Sequence, residues 1–70
     1  MSRPEKHSLT LRGHRTSVSL EKEFWRAFLD IAKTEGKTIN GLAVEIDEAR
    51  GADAGLATAI RLYVLRFYQN

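Results

Sequence analysis

Residues 15–20, Arg-Thr-Ser-Val-Ser-Leu, alternate with a period of two. Thr16, Val18 and Leu20 fall on one face and Arg15, Ser17 and Ser19 on the other, as in a strand with one face buried. The branched side chains of Thr16 and Val18 favour extended backbone. A single short strand is not a stable sheet, so it must find a partner. Within the chain the candidate is His7 to Arg12, where Leu9 and Leu11 alternate with Ser8 and Thr10 and Gly13 marks a turn or bulge. The other candidate is the same strand of a second copy, paired antiparallel across a two-fold axis. Size favours the second. A core built from 70 residues supplies only about 3–5 kcal/mol, so small domains take staples or partners. Cysteine is absent, which removes disulfides and thiolate zinc sites, and two histidines make a poor metal cage. No metal or other cofactor is expected, and a homodimer is.

The remainder reads as helical. Phe24, Phe28, Ile31 and Ala32 recur at helical spacing within Glu21–Glu35, with Trp25 and Leu29 widening the stripe and Gly36 as a left-handed stop. Phe24, Trp25 and Phe28 are read as core. Thr38 is an N-cap for a second helix to about Ala49, with Ile39, Leu42, Ala43 and Ile46 facing inward. Gly41 inside it costs roughly 1 kcal/mol relative to alanine and suggests close packing. Asp53 is expected to cap a third helix from about Ala54 to Tyr68, bearing Leu56, Ile60, Tyr63, Val64 and Phe67. Leu62 and Leu65 lie off that stripe, so this helix is expected to bury against two surfaces, one of them in the partner subunit. The units expected are a basic arm over 1–13 (flexible, or a short extra strand), a core over 14–50 and a C-terminal helix over 51–70.

Charge is uneven along the chain. Arg3, Lys6, Arg12 and Arg15 face only Glu5 before residue 21, whereas from Glu21 onward seven basic residues meet eight acidic ones. A basic arm on a near-neutral body is an electrostatic footprint of a nucleic-acid binder, with a solvated tail as the plain alternative. No stretch has the apolar length of a signal-peptide core or a membrane span, so a bacterial, cytoplasmic protein with no membrane association is expected.

The order of these elements resembles the ribbon-helix-helix family of bacterial DNA-binding proteins. The resemblance is carried by RTSVSL, EKEFWRAFLDIAKTEG and GKTINGLAVEI, about half the chain. The longer string LTLRGHRTSVSLEKEFW, with the Gly-Leu-Ala and Leu-Arg-Phe-Tyr segments, further resembles a short proteobacterial subgroup of unassigned role. The fold it implies is mostly α with one short β-strand: an intertwined homodimer with an intersubunit antiparallel β-ribbon, plus an extra C-terminal helix. The ribbon would enter the major groove, which admits two strands and displays a distinct donor and acceptor pattern for each base pair. Carried over by position, Arg15, Ser17 and Ser19 would contact bases. Backbone amides near Thr38, Ile39 and Asn40 would clamp a phosphate, with Lys37, Arg12 and His14 as further phosphate contacts. One departure is Glu21, at a position where the family often has a capping serine or aspartate. The function implied is a sequence-specific repressor or autoregulator of transcription. The alternative is a protein-interaction or antitoxin-like module with the apolar third helix as docking surface. An enzyme is not expected: His14, Ser17 and a carboxylate on a ribbon have neither pocket nor oxyanion hole.

Overall fold

The computed structural model describes residues 3–70; Met1 and Ser2 of the expected arm lie outside them. Two strands, β1 (Glu5–Leu11) and β2 (His14–Leu20), are followed by three helices, α1 (Lys22–Thr34), α2 (Ile39–Ala49) and α3 (Leu56–Gln69). The strands form an antiparallel hairpin in which Leu11 lies opposite His14 and Glu5 opposite Leu20. The chain therefore has two strands where one is expected, and the segment His7 to Arg12 supplies the partner on one edge of β2. The physical reason is the turn. Arg12 and Gly13 both take positive φ, 50° and 79°, as a two-residue type I′ turn requires, and that turn matches the twist of the flanking strands. Leu9 and Leu11 of β1 then join Val18 and Leu20 of β2 in the core.

The hairpin lays this apolar face over the helices. Phe28, Ile31 and Ala32 of α1, Leu42, Ala43 and Ile46 of α2, and Ile60 and Val64 of α3 complete one cluster, and no polar residue is buried among the described residues. Phe28 is fully buried, while Phe24 and Trp25 are half-buried at the edge of the core. Trp25 stacks on His7 with ring centroids 4.1 Å apart and planes 8° from parallel, so a residue of β1 closes one side of the core.

The helix ends follow local chemistry. Gly36, at φ 69°, terminates α1 in a Schellman arrangement: its N–H donates to Lys33 O at 3.1 Å and that of Lys37 to Ala32 O at 2.9 Å. Thr38 caps α2, its Oγ1 accepting from the Gly41 N–H at 2.9 Å. The expected cap of α3 differs. Gly55, not Asp53, is its N-cap, because Ala54 N–H closes a turn on Gly51 O at 3.2 Å and Arg50 Nη1 donates to Ala54 O at 2.6 Å. These bonds hold residues 51–54 out of the helix. No helix among the described residues is long and apolar enough to cross a membrane.

Candidate nucleic-acid interface

A hairpin with one face buried must turn the other outward. On β2 the outward residues are Arg15, Ser17 and Ser19, all exposed, as the alternation of their neighbours demands. The three expected base-contacting side chains are thus brought into one row. His14 starts the strand and is exposed, and Arg12 sits in the turn.

The expected phosphate-contacting group lies beside this hairpin. Asn40, in the first turn of α2, accepts the Thr10 N–H through Oδ1 at 3.0 Å. That bond satisfies an outward-pointing backbone donor and fixes the start of α2 against the outer edge of β1. Gly41 N–H is taken by the Thr38 side chain and Leu42 N–H by Thr38 O, so the amides of Ile39 and Asn40 are the two that the α2 helix leaves without an internal acceptor.

Two of the expected cations are paired. Lys37 Nζ lies 2.8 Å from Glu45 Oε1 and 3.5 Å from Glu35 Oε1, and the hydrogen bond to Glu45 raises its pKa above the usual lysine value. Arg12 reaches Asp47 at 3.3 Å and Glu48 at 3.2 Å; these bonds, Glu48 first, raise its pKa too. The acidic end of α2 therefore anchors the tip of the hairpin. Arg50 completes that anchor, with Nε 2.6 Å from Asp47 Oδ1.

Sequence reasoning missed two constituents. Glu21, at the N-cap position of α1, makes no side-chain cap bond; its carboxylate instead holds Arg61 of α3, with Nε to Oε1 at 2.9 Å. Arg61 Nη2 also donates to Ser19 O at 3.1 Å, so α3 closes the last residue of the outward row at the outer edge of β2. The missing capping residue was a signal that Glu21 is used elsewhere. The other constituent is β1, whose own outward residues extend the face.

The ribbon-helix-helix domain family matches residues 4–68, and the chain belongs to that family. The match begins ahead of β1 and runs into the last turn of α3, so it takes in β1 and all but the last residue of α3. No curated protein and no solved structure matches the chain significantly. Membership of the family points to a DNA-binding role in transcription regulation or an antitoxin-like role.

Proposed function

We propose that the chain is a sequence-specific double-stranded-DNA-binding protein, a repressor or autoregulator of transcription that acts as a homodimer in the bacterial cytoplasm. The observation that carries this reading is the outward row Arg15, Ser17 and Ser19 on the strand leading directly into α1. A guanidinium fork matches guanine O6 and N7, and such a contact is worth about 1–3 kcal/mol of discrimination, while serine hydroxyls donate or accept. The amides near Thr38, Ile39 and Asn40 would receive a phosphate at the positive end of α2. Lys37 and Arg12 would exchange carboxylates for phosphates on binding, and His14, on the opposite face of β2 from Arg15, would meet a phosphate at the end of the strand.

Dimerisation fits the same strand. Arg61 occupies Ser19 O, which leaves the outward backbone groups of Arg15 and Ser17 for the same residues of a second copy. Antiparallel pairing there gives the family's intersubunit ribbon, with each β1 outside it. The test is fluorescence anisotropy of labelled genomic duplex fragments, titrated with wild type and Arg15→Ala at two salt concentrations, with sedimentation to fix the oligomeric state. A subset of fragments bound tightly by wild type and released by Arg15→Ala with the assembly intact supports the reading. Binding no stronger than that of a neutral control protein at low salt sinks it.

A second reading, a protein-interaction or antitoxin-like module, is favoured by one observation. Leu62, Leu65 and Tyr68 of α3 are 39%, 50% and 59% exposed, an apolar surface apart from the hairpin face. A DNA-independent complex lost on Leu65→Glu would support it.

A further inference from the structure

The exposed face of the hairpin is twice as wide as β2. Across the register Lys6 lies opposite Ser19, Ser8 opposite Ser17 and Thr10 opposite Arg15, and all six are exposed. Directly opposed residues of an antiparallel pair stand about 4.5–5.5 Å apart at Cβ. A surface laid against Ser17 therefore meets Ser8 as well. The face holds hydroxyls along its middle, a cation at each of two diagonal corners and no carboxylate. Lys6 and Arg15 form no ion pair among the described residues, unlike Arg12 and Lys37. The Asn40 bond to Thr10 N–H adds a geometric constraint. The start of α2 lies against the outer edge of β1, so β1 sits between the β2 row and the α2 amides.

We infer that β1 supplies a second row of the DNA-contacting surface, with Lys6 neutralising a backbone phosphate and Ser8 and Thr10 hydrogen-bonding to the duplex beside the β2 row. This rests on the DNA-binding reading above and extends it: a duplex that touches both β2 and the α2 amides must pass over β1. The arm is then a built part of the interface and not a diffuse positive tail.

The experiment compares Ser8→Glu with Ser17→Glu, which place the same charge at directly opposed sites, and adds Lys6→Ala. The probes are the fluorescein-labelled genomic duplex that wild type binds most tightly and a random-sequence duplex of equal length. Circular dichroism and melting temperature establish that each variant is folded, and Lys6→Ala, a surface truncation, carries the test should Ser8→Glu not fold. Both glutamate variants are expected to lose about tenfold or more in affinity through repulsion of the phosphates. Lys6→Ala should weaken both probes alike and lower the slope of log K against log salt by about 0.9 per bound chain. Wild-type affinity in Ser8→Glu and an unchanged slope in Lys6→Ala, with binding lost in Ser17→Glu, would overturn the inference and leave the DNA reading standing. Wild-type affinity in both glutamate variants, or no duplex bound by wild type, would overturn the DNA reading and the inference with it.

Discussion

At the scale of single residues, glycine decides two outcomes in different ways. Gly13 has φ 79° and open space around it, so replacing it costs only backbone strain. Gly13→Ala is expected to lower stability by about 1–2 kcal/mol in urea denaturation, and an unchanged midpoint would show that the turn does not need its left-handed residue. Gly41 is the opposite case. A Cβ there would stand 2.9 Å from Thr38 Oγ1, the atom that caps α2 through Gly41's own N–H. Gly to Ala inside a helix normally gains about 1 kcal/mol, and disturbing an N-cap loses about as much. Gly41→Ala should therefore bring no net stabilisation; a gain near the full helix-propensity value would mean that the threonine rotates away freely. The sequence indicated that Gly41 permits a close approach. That the neighbour is the helix's own cap could not be read from spacing, because a rotamer settles it.

At the scale of elements, ion pairs at the surface add to the ties that the core provides. Arg61 joins α3 to Glu21 ahead of α1 and to the end of β2. Asp47 joins α2 to Arg50 and to the hairpin tip through Arg12. The Glu21 carboxyl is held below its usual pKa, first by the hydrogen bond from Arg61 and then by its own backbone N–H. Asp47 is lowered by Arg50 first and Arg12 second. In the window between each lowered folded value and the unfolded one, the unfolded chain binds more protons, so stability rises with pH there. The contribution is fully present above the unfolded carboxyl values, about 4, and is lost as pH falls through the folded ones. Glu21→Gln should accordingly melt lower than wild type at neutral pH and lose less on acidification; parallel melting curves against pH would remove Glu21 from this role. Tyr63 O–H donates to Glu35 at 3.0 Å, a further tie between α3 and the end of α1. Its pKa is raised, by burial first and by that bond second. The helices themselves were legible within a residue or two, since periodicity and caps act locally. The cap of α3 was not, because the bond from Arg50 to Ala54 O holds the chain after Asp53 out of the helix and is invisible to a local pattern.

At the scale of the whole molecule, one small core joins every element. Phe28 is completely buried and touches the aromatic edge formed by Trp25, with centroids 5.7 Å apart. Truncating a buried phenylalanine costs about 3–5 kcal/mol, comparable to the roughly 3–5 kcal/mol that a core of this size supplies. Phe28→Ala should therefore populate the unfolded state at room temperature, seen as loss of a cooperative thermal transition. A cooperative transition retained well above that temperature would show that assembly, and not the single-chain core, carries the stability. The apolar side chains of α3 divide between the two sides of this question. Ile60 and Val64 are buried within the chain, whereas Leu62 and Leu65 remain exposed.

By itself the sequence determined the strand at residues 15–20, the three helices with their stops at Gly36 and cap at Thr38, and the outward row of Arg15, Ser17 and Ser19. All of these follow from periodicities and capping preferences that operate over a few residues. Only the tertiary structure decided that β1 takes one edge of β2, because the alternation of the two segments does not record that Arg12 and Gly13 both adopt positive φ. It also decided which of the cations Lys6, Arg12, Arg15 and Arg61 are paired among the described residues. Arg12 and Arg61 meet carboxylates 35 and 40 residues away in the chain, while Lys6 and Arg15 are left on the open face of the hairpin, and no local pattern records which of these charges folding will bring together.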